Sequence, residues 1–224
     1  MDEERISDIH EGNLAQVFFP VYGARMTEFP AWFDPSKDRV LTPSTVKGLL
    51  HPIRLRVFDL LQVDGPATAT TLGRRIGYST ALVSYHLRVL AEHGFIVEDT
   101  ERGDSRDRWW RAARRSALFT FRAAEDPGTP ETVEDAAAFM HLVAEESHRK
   151  VLAFISSLAG QPGVDLAELP WTHGSWALDL TADEARELRR EMGELVTRYR
   201  RRSPNPPPDT ARVHAAFQIV PDEA

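Results

Sequence analysis

The chain has 224 residues, of which 42% are hydrophobic and 27% charged, with a formal net charge of −7 and no cysteine. The missing cysteine excludes disulfides, thiolate metal sites and cysteine nucleophiles. No run of 18 apolar residues occurs, which excludes a hydrophobic membrane-spanning helix; the acidic opening MDEERISDIHEG has no apolar stretch of the kind found in secretory signals, so a cytoplasmic protein is expected.

Residues 1–42 form an aromatic N-terminal arm. Pro20, Pro30 and Pro35 oppose a long helix there, Val17 to Phe19 suits a short strand, and apolar residues this dense are expected to pack on the body or on a second subunit. After Pro43, Ser44 to Leu50 reads as a short helix. Pro52 opens the next, IRLRVFDLLQ, with Ile53, Val57, Leu60 and Leu61 on one face. Asp64-Gly65-Pro66 is a turn. Thr70 is expected to cap a third helix, TLGRRIG, which buries Leu72 and Ile76, and Gly77-Tyr78 is a tight connection to a fourth.

That fourth helix begins after Ser79, an N-cap residue whose hydroxyl can accept a free amide of the first turn. Val83, Leu87 and Leu90 recur at i, i+4 and i+7 and form its apolar stripe; Gly94 ends it. Phe95 to Val97 starts a strand, Glu101 to Arg108 is a short basic loop, and Trp109 and Trp110 lie on the return strand as anchors to the core. Ala117 to Phe121 suits a further strand, and residues 125–130 a linker.

Thr132 is expected to cap a long helix over residues 131–160. Val133, Ala137, Met140, Val143 or Ala144, Val151, Phe154, Ile155 and Leu158 give its apolar stripe, and a helix of this length suits dimerisation or packing within one chain. Residues 171–224 read as a strand-helix-strand unit. Ser175 to Leu180 alternates as a strand, and Thr181 with Glu184 forms a capping box. The helix DEARELRREMGELVTRYRRR turns Leu188, Met192, Leu195 and Tyr199 inward and collects Arg198, Arg200, Arg201 and Arg202 in its last turn. Val213 to Val220 is then expected to pair with the first strand.

Two helices joined by a short glycine turn make the helix-turn-helix pattern, with the second helix the reader. Its outer face carries Ser79, Thr80, Ala81, Ser84, Tyr85 and Arg88, small, hydroxylated or cationic residues that can approach a major groove closely. Arg102, Arg106 and Arg108 in the hairpin suit phosphates or a narrow minor groove, although Asp104 and Asp107 alternate with them as in any solvated hairpin tip. Charge is distributed accordingly. Residues 44–124 hold 13 Lys/Arg against 8 Asp/Glu, whereas the segments before and after are acidic.

The runs HPIRLRVFDLL, LGRRIGYSTALVSYHLRVLAEHGFIVED and RGDSRDRWWRAA together resemble the winged helix-turn-helix of ArsR-type bacterial regulators, closest to an actinobacterial subgroup, over about residues 44–113. The resemblance implies a fold that is mainly α with small β (α+β), a winged domain over 43–124, a homodimer on an inverted repeat of double-stranded DNA, and a repressor. It also implies docking by His86, whose alternative is a core histidine. The chain departs from the metal-sensing members in lacking cysteine, so thiolate sensing is excluded.

Two further sites compete with plainer readings. His141, Glu145 and His148 share one helix face with donors suited to zinc or nickel, a spacing that also arises by chance in a polar stripe. Phe139, Trp171, Trp176, Tyr199 and Phe217 are enough aromatics to line a pocket for a small-molecule effector, or simply to fill a core. No cofactor is implied. No G-x-S-x-G, H-E-x-x-H or P-loop is present, so no enzyme is expected. The alternatives are a small-molecule or His/Glu metal sensor on the same fold, or a protein-interaction module without DNA binding.

Overall fold

A computed structural model describes residues 33–34, 36–102, 107–114, 116–119, 129–158, 165, 169, 171–172, 174–199, 208, 210 and 212–220. The expected strand at Val17 to Phe19 and the tip of the basic loop lie outside the described residues. The chain divides into two compact units, the first running to Glu146 and the second beginning at Ser147. The described residues are helical with small sheets, and no described helix is long and apolar enough to cross a membrane.

The first unit opens with β1 (Arg39–Leu41), a 3-10 turn (Val46–Leu49) and α1 (Pro52–Val63). Pro52 takes the first helical position, where a missing N–H costs nothing, and the His51 ring caps the helix: its Nδ1 accepts the Ile53 N–H at 3.1 Å. Next come β2 (Ala67–Thr68), α2 (Ala69–Ile76) and α3 (Thr80–Glu92). The cap of α2 is Thr68, which accepts the Thr71 N–H at 3.2 Å; Thr70, the expected cap, lies inside the helix and is exposed. Two threonines two residues apart offer the same local chemistry, and β2 pairing fixes the choice by holding Thr68 extended.

The turn between α2 and α3 depends on two glycines. Gly77 sits at φ +79°, a left-handed conformation that residues with a Cβ rarely adopt. A Cβ on Gly73 would stand 2.7 Å from the Tyr78 carbonyl oxygen, so only glycine lets the turn fold this closely onto α2. At the far end of α3 the Gly94 N–H bonds the Ala91 carbonyl and the Phe95 N–H the Leu90 carbonyl, both at 2.9 Å, which closes the helix in a Schellman turn.

β3 (Ile96–Glu98) and β4 (Trp109–Ala112) form an antiparallel wing, and β2 adds to the other side of β4, pairing Thr68 with Trp109 and Ala67 with Trp110. Trp110 is buried and Trp109 half-buried, as their anchoring role requires. β5 (Ala117–Phe119) runs parallel to β1, placing Arg39 opposite Ala117 and Leu41 opposite Phe119. This pairing leaves no local mark in the sequence, and it draws residues 33–42 into the first unit. Phe33 and Leu41 are buried, and the Asp38 carboxylate accepts the buried Ser116 hydroxyl at 2.8 Å.

α4 (Pro130–Leu158) starts two residues before the expected cap. The Thr129 hydroxyl accepts the Thr132 N–H at 3.4 Å, and Pro130 follows it. Its packed face is also rotated from expectation. Thr132, Ala136 and Phe139 are buried, with Met140 and Val143 beside them, whereas Val133 and Ala137 are exposed. Phe139 sets the phase, because its ring finds Phe119 at 4.9 Å between centroids. A largely buried ion pair, Arg56–Glu146 at 2.9 Å, and a more exposed one, Lys47–Asp135 at 3.5 Å, tie this half of α4 to α1 and the 3-10 turn.

In the second unit α5 (Ala182–Tyr199) has the expected capping box: the Glu184 N–H donates to Thr181 Oγ1 at 3.3 Å and the Thr181 N–H to the Glu184 carboxylate at 2.8 Å. The two flanking strands are not formed. Residues 174–180 and 212–220 carry no strand pairing, consistent with the marginal stability of an isolated pair of strands in water. Without a sheet to face, α5 leaves Leu195 and Tyr199 exposed and only half-buries Leu188 and Met192.

Candidate nucleic-acid interface

The site is built on α3, whose two faces differ in chemistry and in environment. Val83, Leu87 and Leu90 are fully buried and lock the helix against α1 and α2. The opposite face is open. Ser79, Thr80, Ala81, Tyr85 and Arg88 are exposed and Ser84 half-buried, so six of the seven reader residues expected from sequence stand on the accessible side. Ser79 caps the helix by accepting the Leu82 N–H at 3.3 Å.

His86 is the exception. Only 3% exposed, it belongs to the inner face, its ring 4.4 Å from that of His51 and 5.2 Å from that of Tyr85. It cannot dock on a partner surface without the helix unpacking. Burial lowers the pKa of His86, and the neighbouring His51 and Arg54 charges lower it further. His51 is lowered by burial and then by Arg54. The Nδ1 of His51 accepts a hydrogen bond at the helix cap, which the neutral ring alone can do.

Two side chains outside the expected reader set also stand on the open side, Tyr78 and Leu82. A leucine is assigned inward by default. The phase of the Val83–Leu87–Leu90 stripe places Leu82 about 100° off it, a signal that the helical period alone carries.

In the wing, Arg108 sits at the foot of β4. Its Nε is 3.3 Å from the Glu98 carboxylate and its guanidinium lies 5.7 Å from the Trp110 ring. Arg102 pairs with Asp99 at 3.5 Å. Both arginines remain substantially exposed. Arg108 shares an exposed pair with Glu98, worth about 0–1 kcal/mol, so its guanidinium can exchange the carboxylate for a phosphate at little cost, whereas Arg102 is held by the buried Asp99. Arg106 lies outside the described residues. Arg111, absent from the expected wing set, is exposed beside exposed Val97 across the β3–β4 ladder.

The orientation of α3 is fixed from an unexpected direction. Arg39 of β1 donates to the carbonyls of His93 at 3.2 Å and Gly94 at 2.9 Å, and its guanidinium stacks 4.3 Å from the Phe95 ring. A cation on the last carbonyls meets the negative end of the helix dipole.

The other two candidate sites are not assembled. His141 and Glu145 make one exposed pair at 3.3 Å, and no group of three His, Cys, Asp or Glu residues that could hold a metal occurs among the described residues, so His141, Glu145 and His148 are not gathered as ligands. Successive turns of an exposed helix point such side chains outward with nothing to converge on. Of the five aromatics, Phe139 is core of the first unit, whereas Trp176, Tyr199 and Phe217 stand exposed; Trp171 meets Phe154 at 5.9 Å.

Residues 49–99 match a family described as a helix-turn-helix domain. None of the curated proteins matches the chain. Among solved structures, the chain is similar to a homodimeric winged helix-turn-helix DNA-binding domain from Mycobacterium bovis, described as a possible ArsR-family transcriptional regulator. The identity is 20%, over 46% of this chain and 76% of that one, with a TM-score of 0.29. It is also similar to the M. tuberculosis protein Rv0081, at 24% identity over 53% and 91% of the two chains with a TM-score of 0.28. A third is ZitR of Lactococcus lactis, at 16% over 67% and 84%, also 0.28. The family match and the observed order of three helices followed by a β-hairpin agree, and residues 49–99 are a helix-turn-helix domain whose hairpin, completed by β4, forms a wing.

Proposed function

We propose that the chain is a DNA-binding transcriptional regulator of the ArsR type, working in the cytoplasm as a homodimer on an inverted repeat. The observation that carries this reading is α3. One face is sealed in the core, and the other is a row of small, hydroxylated and aromatic side chains with Arg88 at its far end. A two-fold dimer would set two such helices in successive major grooves, about 34 Å apart. Arg102 and Arg108 of the wing, with Arg106, supply phosphate or minor-groove contacts, and the α3 face supplies sequence choice. The long helix α4 and the second unit carry dimerisation and, through a change in their arrangement, response to a small-molecule effector. Repression is the sign of regulation that the family resemblance favours.

The test is anisotropy with genomic DNA fragments across a salt series. Tight binding to a few fragments with a steep salt slope is expected, and Arg88→Ala or Arg108→Ala should flatten that slope by about one for each phosphate no longer neutralised. Absence of binding even at low salt would overturn the reading.

A further inference from the structure

We propose that the sequence choice of this protein is made on thymine methyl groups, through an apolar strip formed by Leu82 and Tyr85 on α3. The inference rests on the DNA-binding reading above and names what that surface recognises.

The first two turns of α3, Thr80 to Leu87, hold no Asn, Gln, Arg, Lys, Asp or Glu. The side chains that grip guanine or adenine edges with paired hydrogen bonds are therefore missing where a reader helix meets the bases. The first cation along the helix is Arg88, whose Nε donates back to the Ser84 carbonyl of its own helix at 3.3 Å, an arrangement better suited to a backbone contact than to a base edge. What the surface presents instead is apolar. Leu82 is 38% and Tyr85 54% exposed, three residues apart and thus neighbours on the helix, with exposed Ala81 alongside.

These residues are not surplus from the core, since Val83, Leu87 and Leu90 already complete the inner face. The major groove offers one apolar feature, the C5 methyl of thymine. A leucine and a tyrosine ring seated on such methyls remove both surfaces from water, and the Ser79 cap and the Ser84 hydroxyl leave no bulk to hold the helix away.

The probe is the shortest duplex from the bound genomic fragments that keeps full affinity, prepared with thymine or with uracil at every position. Uracil keeps the O4 acceptor and lacks the methyl. Each contacted methyl should contribute about fourfold in affinity, so the wild-type protein is expected to bind the uracil duplex roughly tenfold or more weaker over two half-sites. In Leu82→Ala/Tyr85→Ala, where alanine preserves the helix, the thymine-to-uracil ratio should collapse towards one. In Arg88→Ala the ratio should persist while affinity for both duplexes falls. Equal binding of the two duplexes by wild type, or a ratio that survives in the double variant, overturns the inference and leaves the regulator reading standing. No binding to any duplex overturns both.

Discussion

The two units of this chain solve the problem of apolar surface in opposite ways. The first closes on itself. Leu41, Leu49, Leu72, Leu87, Leu90, Phe95, Phe119 and Phe139 come from seven different stretches of chain and are all fully buried. The second buries none of its described residues completely, and Trp176, at 79% exposure, has company in Leu152, Ile155, Leu178, Val213 and Phe217. Exposed apolar residues gathered in this way are what a binding surface would present. One unit is finished as a single copy; the other has the composition of an interface. A DNA-reading domain needs rigidity in its helix, and a dimerising or sensing region needs an unsatisfied face, so the difference suits the functions proposed for each.

The sharpest way to break this contrast is to make one truncation in both units. Phe139→Ala should destabilise the first unit by about 3–5 kcal/mol, because the ring no longer packs on Phe119 and a cavity remains. Phe217→Ala, in the second unit, should stay within about 0.5 kcal/mol by urea denaturation of the isolated monomer. Equal destabilisation by the two would show that the second unit has a core of its own.

Leu152→Asp/Ile155→Asp comes next. It places two charges on one exposed face of α4, and sedimentation should show the dimer becoming monomer with the fold of the first unit unchanged. Losing the second half-site should then weaken operator binding about a hundredfold.

The smallest effect sharpens the comparison through pH. The folded first unit holds His51 and His86 neutral below their ordinary pKa, whereas the unfolded chain protonates them near 6.5. The unfolded state therefore binds more protons once pH drops towards that value, and stability should fall as pH decreases below about 6.5 until the lower folded pKa values are reached. Arg54 is the other charged group at this pair, and an arginine keeps its charge throughout that window. His86→Leu should make the acid limb shallower in thermal melts. An unchanged limb would place the proton uptake elsewhere.

How much of the molecule is legible in its sequence follows the same division. In the first unit, local signals and tertiary demands agree. Ser79 caps α3, Gly94 closes it, and Trp109 and Trp110 return along the wing as their spacing implies. What escapes depends on distant partners. Arg39 reaches across 54 residues to the end of α3, and the β1–β5 pairing joins segments 78 residues apart, neither of which leaves a periodic trace. His86 lies within the register of the helix stripe, yet its inward turn rests on His51 being there to meet it. In the second unit, alternation at Ser175 to Leu180 and Val213 to Val220 is a genuine pattern of β-forming residues. Pattern alone does not supply the neighbouring strand that satisfies backbone groups.

The clasp of Arg39 on the end of α3 also bears on how this domain can be transplanted. The recognisable helix-turn-helix occupies residues 49–99, and a chimera cut at that boundary would carry the reader helix without the cation on its final carbonyls, without the Asp38–Ser116 hydrogen bond, and without the strand that seats both. A portable version has to begin by Phe33 and extend through Phe119 and the first half of α4. The unit that folds around the reader helix is accordingly larger in this chain than the motif by which it is recognised.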